Sequence, residues 1–265
     1  MDARLQIIGG GKMGEALLAG LLARGWAPAG ELRLVETVTA RADELRRRYP
    51  DVTVAAEPSA AAGHLLAVKP GDVAGACAAL AGRWAPAPVL SIAAGVTIAR
   101  LEAALGPDTP VVRAMPNTPA LIGAGAAAVA AGRWAGDDEL AWAESILGAV
   151  GTVVRLDESL LDAVTGLSGS GPAYVFLVVE ALVEGGVLAG LPRPVASALA
   201  TQTVLGAARL LSESDQGPEA LRAAVTSPGG TTAAGLRALE RAGVRSAFLD
   251  AVTAATDRSR ELGEG

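Results

Sequence analysis

Cysteine occurs once in the 265 residues, at Cys77. A single thiol closes no internal disulfide, and such usage fits a reducing compartment, here expected to be the cytoplasm. Cys77 sits in an alanine-rich helical run and reads as a small buried apolar residue. Histidine also occurs once. His64 begins a strand-like run, at the end away from where ligands gather in an open sheet, so a surface or capping role is expected for it rather than catalysis. No metal site is expected. Of the 22 basic residues only Lys12 and Lys69 are lysine, which confines any Schiff-base chemistry to those two positions. Aromatic residues make up 3% of the chain, with two Phe and two Tyr. Any helix apolar on nearly every side must then be covered by another subunit.

Long charged and long apolar runs are missing too. Net charge is −6, from 22 Lys+Arg against 28 Asp+Glu, and the densest basic cluster is Arg46–Arg48. It shares a helical stretch with Asp43 and Glu44 and reads as a solvated face, which argues against nucleic acid as a partner. Mean hydropathy is positive, largely through alanine and glycine. The longest uncharged apolar window, Ala163 to Val179, is interrupted by Gly, Ser and Pro. A spanning helix needs about 20 predominantly apolar residues, so no membrane segment is expected. Met1-Asp2-Ala3-Arg4 leads straight into a strand-like run, leaving no room for a signal peptide.

What the chain does have is glycine-rich turns at helix starts. Arg4–Ile8 reads as a buried strand, followed by Gly9-Gly10-Gly11-Lys12-Met13-Gly14 and an apolar helix. Gly-x-Gly-x-x-Gly between a strand and a helix is the dinucleotide fingerprint. Gly9 gives the tight turn, Gly11 the backbone approach to a pyrophosphate, and Gly14 the close helix packing. Amide groups at the helix start face the phosphates. The next strand ends at Glu36, where an acid takes the ribose 2′-hydroxyl of NAD; Arg41 is placed to meet the 2′-phosphate of NADP instead. Both cofactors stay open. Further strands end in Lys69-Pro70, Ala93-Ala94-Gly95 and Met115-Pro116-Asn117-Thr118-Pro119. Those ends line one crevice in an open α/β sheet. From Glu158 the patterning is helical throughout. The division is therefore a dinucleotide-binding domain over 1–157 and an all-helical domain over 158–265.

The seam carries Gly166-Leu-Ser-Gly-Ser-Gly-Pro-Ala-Tyr174, expected as an open turn entering an apolar helix. Several hydroxy-acid dehydrogenases share this two-domain plan. One large group of them has Gly-x-Gly followed four residues on by a proton-handling lysine. Here that place holds Val175, and the asparagines expected next are Val178 and Val179. Alcohol oxidation has no evident base, whereas reduction of a protonated C=N bond needs little proton help. The turn Ser227-Pro228-Gly229-Gly230-Thr231-Thr232 exposes successive amides suited to a substrate carboxylate, and Thr232 adds a hydroxyl. Read by itself, it is equally an ordinary helix cap.

Ala67-Val68-Lys69-Pro70, Ser91–Gly95, Arg113–Pro119, Gly166–Tyr174 and Thr226–Thr232, in that order, resemble the motifs of the 1-pyrroline-5-carboxylate reductase family. The resemblance implies a Rossmann-like parallel sheet domain followed by an all-α dimerisation domain. It also implies reduction of a cyclic imine to L-proline with NADP(H) or NAD(H), by a dimer that assembles as far as a decamer. Carried over by motif, Gly9–Gly14, Ala67–Pro70 and Ala93–Gly95 hold the dinucleotide, with Met115 and Asn117 near the nicotinamide. Ser227, Gly229, Gly230, Thr231 and Thr232 bind the substrate, with Thr232 catalytic on the ring nitrogen and Glu158 at the rim. Glu36 departs from the family, many members having Ser, Thr or a small residue before a basic one. Two rivals are weighed: a reductase of another imine or small 2-hydroxy acid, and a dinucleotide-binding regulator without turnover.

Overall fold

The structure is a computed structural model that describes residues 3–83 and 86–264. Met1 and Asp2, on which the expectation about a leader turned, lie outside the described residues. Two compact units emerge. The first runs to Ser170 and regains the chain from Thr253; the second is Gly171–Val252.

The first unit is built on an eight-stranded sheet: β1 (Leu5–Ile8), β2 (Leu32–Val35), β3 (Thr53–Ala55), β4 (His64–Leu66), β5 (Val89–Ser91), β6 (Val111–Met115), β7 (Gly125–Ala131) and β8 (Gly151–Arg155). Their spatial order is β3-β2-β1-β4-β5-β6-β7-β8. All four residues of β1 are buried, as expected of a parallel strand covered on both faces. Leu5 and Ile7 pack to one side with Leu17, Leu45 and Ile146, from α1 (Lys12–Ala23), α2 (Thr39–Arg48) and α5 (Asp137–Leu147). Ile8 packs to the other side with Val73 and Cys77 of α3 (Val73–Leu80) and Leu101 of α4 (Ile98–Leu105). The order of the first six strands is that of the doubly wound dinucleotide fold, which reverses direction at β1.

One strand departs from the expected parallel sheet. β7 runs antiparallel to β6, and β8 runs parallel to β7. The link over residues 116–124 holds only a 3-10 turn, Thr118–Ile122, and a parallel return needs a crossover of a dozen or more residues.

Residues 158–170 belong to the first unit, although a helical domain was expected to begin at 158. Leu161 of α6 (Leu161–Val164) is fully buried in the sheet's second core, which ties this stretch down. The expected open turn from Gly166 is also different: Thr165–Gly169 is a π-turn inside a continuous helical run. The Ser170 amide donates to Thr165 O at 2.8 Å. Hydroxyls of Thr165 and Ser168 donate to the carbonyls of Leu161 and Val164. Small residues let the helix widen locally, and the side chains satisfy the loosened carbonyls.

The second unit holds α7 (Gly171–Leu188), α8 (Arg193–Glu213), α9 (Pro218–Ala224), α10 (Thr231–Arg241) and the beginning of α11 (Val244–Glu264). α7 ends at Gly190 in the left-handed region (φ 101°), and Pro192 lets α8 start anew. The core described for this unit is small: Val183, Ala196 and Ala200, with Val179 and Val187 packed beside them. Large apolar side chains stay outside, Phe176 at 63% exposed and Leu188 at 91%.

Candidate active site

Register decides what meets at the sheet's carboxyl edge. Ile8 pairs level with Val35 on one side and Leu66 on the other, and Leu66 with Ser91. The residues that follow, Gly9, Glu36 and Ala67, are therefore neighbours at the switch point. The Gly9 amide donates to Val35 O at 2.9 Å, and the Ala67 amide to Ile8 O at 2.8 Å.

The glycines of the first loop answer to different demands. Gly9 has φ 106°, and a Cβ there would stand 2.6 Å from Ala67 O. A Cβ on Gly14 would stand 2.0 Å from Gly9 O, so α1 sits on its own entry turn only because the side chain is missing. A Cβ on Gly10 would meet Leu45 and the Glu36 carboxylate. Gly11 is unlike these. Its φ is −66°, and nothing lies within 4 Å of where its Cβ would be. Neither backbone strain nor internal packing asks for glycine at that position. It opens on a cavity of about 670 Å³ lined by Gly9, Glu36, Val68 and Lys69 among others. α1 starts at Gly11 without a side-chain cap, which leaves its first amides for a ligand. This cradle fits a dinucleotide pyrophosphate.

Glu36 and Arg41 are both committed. Glu36 accepts the Gly10 amide at 3.1 Å and the Val38 amide at 2.8 Å. Arg41 donates Nε to Gly10 O at 2.8 Å, and pairs with Glu15 and, at 2.7 Å, with Glu44. Glu15 also receives Arg48 at 2.8 Å and the Tyr49 hydroxyl at 3.2 Å. The basic cluster is thus only partly a solvated face: Arg46 pairs with Asp43, while Arg48 reaches back to α1.

The remaining expected positions divide. Pro70, Ala94 and Gly95 line a second cavity of about 570 Å³ with Arg100, Thr165 and Ser170. The Met13 side chain is half-buried and packs on the core. Lys12 is exposed at the helix start, and Ala93 is buried. Met115 lies where a Cβ on Gly169 would come within 2.7 Å of its Cε, which interlocks β6 with the π-turn. Asn117, buried, uses both ends of its amide: Nδ2 donates to Ser168 O at 3.0 Å, and Oδ1 accepts the Ala126 amide at 2.8 Å. Glu158 Oε1 accepts the Ile98 amide at 2.7 Å and Arg113 at 2.8 Å, clamping the start of α4 to β6.

Sequence reasoning missed this clamp, the Arg41–Glu15 pair and the 2.6 Å bond from Ser259 Oγ to Asp162. Each joins residues far apart in the chain, and no local pattern marks such partners. His64 is likewise corrected: it is buried, with Nδ1 3.1 Å from Gln6 Nε2, and burial lowers its pKa to about 4. Cys77 is buried as expected, its pKa pushed up to about 11.

In the second unit the Ser227–Thr232 turn is tight and exposed. Gly229 takes φ 68°, and the Gly230 amide donates to Ser227 O at 3.0 Å. A Cβ on Gly230 would stand 2.4 Å from Ser227 Oγ. α10 begins at Gly230 without a side-chain cap, so the amides of Thr231 and Thr232 open its N-terminus.

Fold and loop together define a class: a dinucleotide-binding α/β protein of the Rossmann type with a helical unit appended. Residues 158–262 match the family model for pyrroline-5-carboxylate reductase dimerisation, and residues 4–95 that for NADP oxidoreductase, coenzyme F420-dependent. The chain belongs to the pyrroline-5-carboxylate reductase family. It is 50% identical to a pyrroline-5-carboxylate reductase of Synechocystis, with all of both chains covered. Among solved structures it resembles that of Coxiella burnetii (TM-score 0.92, 37% identity, 99% of each chain covered). It also resembles that of Plasmodium falciparum with NADP bound (TM-score 0.86, 28% identity, 98% of each covered). By length and composition alone the helical run Glu158–Leu188 would pass for a membrane span, uninterrupted by the residues expected to break it. That run lies within residues 158–262, which match the dimerisation model, and the match supports self-association.

Proposed function

We propose that the chain reduces 1-pyrroline-5-carboxylate to L-proline at the expense of NADH or NADPH, the last step of proline formation. The observation that carries this reading is Gly11. It is a glycine with no internal reason to be one, at the switch point of the sheet, in a chain alike over its full length to reductases of this name.

When bound, the reduced nicotinamide supplies the hydride that adds to the imine carbon. The chain's own residues do the rest. The open amides at the start of α1 and Lys69 hold the dinucleotide in a cradle walled by Gly9–Gly14 and Ala67–Pro70, with Ala93–Gly95 along its path. Glu36 takes the adenosine ribose. Met115 and Asn117 shape the nicotinamide end, Asn117 by pinning the loop after β6 to the π-turn and β7. The open amides of Thr231 and Thr232 receive the substrate carboxylate at the start of α10, presented by the turn of Ser227, Gly229 and Gly230, where the helix dipole favours an anion. The Thr232 hydroxyl meets the ring nitrogen, which arrives protonated and leaves as a secondary amine. No lysine or histidine stands at Val175, and a protonated imine needs no base. Glu158 acts through Arg113 and Ile98 rather than by touch.

Residues 1–157 thus serve the dinucleotide, and 158–265 serve the substrate and self-association. The working unit is a homodimer that assembles as far as a decamer in the cytoplasm, a reading supported by the exposed apolar helices and the single thiol. The test is substrate-dependent loss of nicotinamide absorbance, with pyrroline-5-carboxylate assayed beside linear imines and 2-hydroxy acids. Preference for pyrroline-5-carboxylate is expected; turnover confined to a hydroxy acid would overturn the assignment.

A further inference from the structure

We propose that Glu36 makes this chain discriminate against a 2′-phosphate, so that it binds NADH in preference to NADPH. The inference rests on the dinucleotide reading of the first loop and adds which dinucleotide that loop takes.

A carboxylate offers about four lone-pair sites on its two oxygens. Backbone amides of Gly10 and Val38 occupy one site on each oxygen of Glu36. The side chain is thereby fixed at the tip of β2, on the wall of the cavity that Gly11 opens onto, with capacity left for two more donors. Two vicinal ribose hydroxyls are such donors. A phosphate ester in place of the 2′-hydroxyl is an acceptor only, and brings roughly 1.5 to 2 negative charges against a fixed carboxylate. Gly10 belongs to the same device, since a Cβ there would stand 2.9 Å from Glu36 Oε2.

The usual rescue for a 2′-phosphate is a nearby arginine. Arg41 is the one placed for it by sequence, and its guanidinium is spent on Gly10 O, Glu15 and Glu44. Freeing it would leave Glu15 and Glu44 without that partner. Charged residues on the cavity wall are Glu36, Glu57 and Asp72 against Lys69 and Arg83. Both cations come from the β4–α3 side, not from the β2 turn that carries Glu36. The site is therefore short of positive charge where a 2′-phosphate would need it.

The test is equilibrium binding to the intact protein, without substrate, of NADH and NADPH, and of ADP-ribose and its 2′-phosphorylated form. NADH is expected to bind at least about tenfold more tightly than NADPH, with the same order for the two fragments. Glu36→Gln keeps the size, removes the charge and leaves an acceptor for only one of the Gly10 and Val38 amides; its NADH-to-NADPH affinity ratio should fall by about tenfold or more, with a melting temperature somewhat below the parent's. Equal or tighter binding of NADPH by the unmodified chain would overturn the inference and leave the loop assignment standing. An unchanged ratio in Glu36→Gln would overturn the role of this residue. Binding of neither nucleotide would remove the loop assignment, and this inference with it.

Discussion

At the scale of single residues, the first loop separates glycines that internal packing requires from one, Gly11, that it does not. Gly14→Ala places a methyl group 2.0 Å from Gly9 O. Overpacking of this kind costs about 1–3 kcal/mol, which for a chain of this size lowers the melting temperature by several degrees. The Cβ that Gly11→Val adds would meet nothing within 4 Å, and the variant should melt near the parent's temperature while losing dinucleotide affinity. Calorimetric melting beside nucleotide titration checks both; a Gly11→Val protein that still binds would end the cradle assignment. His64 makes a pH prediction. Its pKa is near 4 in the folded chain against 6.5 unfolded, because burial disfavours the charged ring. Below about pH 6.5 the unfolded chain takes up a proton that the folded chain does not. Stability from this group is complete above that pH and falls progressively as pH drops towards 4, by up to about 3 kcal/mol. Denaturant unfolding should show a flatter slope in this window for His64→Gln than for the parent. Identical slopes would place the ring's titration elsewhere.

At the scale of elements, the clamp of β6 to the start of α4 is the feature with most consequence. Arg113 is 7% exposed and answers to Glu158. Glu158→Gln leaves that guanidinium without its counter-charge. Loss of one partner of a buried pair costs about 3–5 kcal/mol, and the partial exposure of Glu158 brings the expectation to about 2 kcal/mol. Adding Arg113→Met should recover part of the loss, whereas a double variant no more stable than the single would show that the pair is not the cause. For α10, Thr232→Ala should lower kcat and leave nucleotide affinity unchanged; unaltered turnover would take Thr232 out of the reaction. The elements themselves were legible in sequence wherever period and punctuation agree. Strand ends fall close to where they were read. The direction of β7 was not legible, because it depends on the length of a link rather than on the pattern of a strand. The π-turn was misread as a loop since Gly and Ser signal turns, while the backbone bonding that keeps it helical leaves no trace in composition. The clamp that Glu158 makes was not legible, because the amide and guanidinium it binds come from distant segments.

At the scale of the molecule, the helical unit is the part that does not stand alone. Val183, Ala196 and Ala200 are a slight core for helices carrying Phe176 and Leu177 more than half exposed. Burial of such side chains is worth about 1.5–3 kcal/mol each, and the dimerisation match supports self-association of this part of the chain. Phe176→Asp should shift the protein to a smaller species in sedimentation and lower its melting temperature. An unchanged sedimentation coefficient would remove this face from the interface. The central claim joins the cradle of the first unit to the reduction of a cyclic imine. Its most direct test incubates the purified chain with 1-pyrroline-5-carboxylate and reduced nucleotide, and counts proline formed against nucleotide oxidised, beside Gly11→Val. The account predicts proline mole for mole with oxidised nucleotide, and neither from Gly11→Val. Nucleotide oxidation without proline, or full activity in that variant, would contradict it.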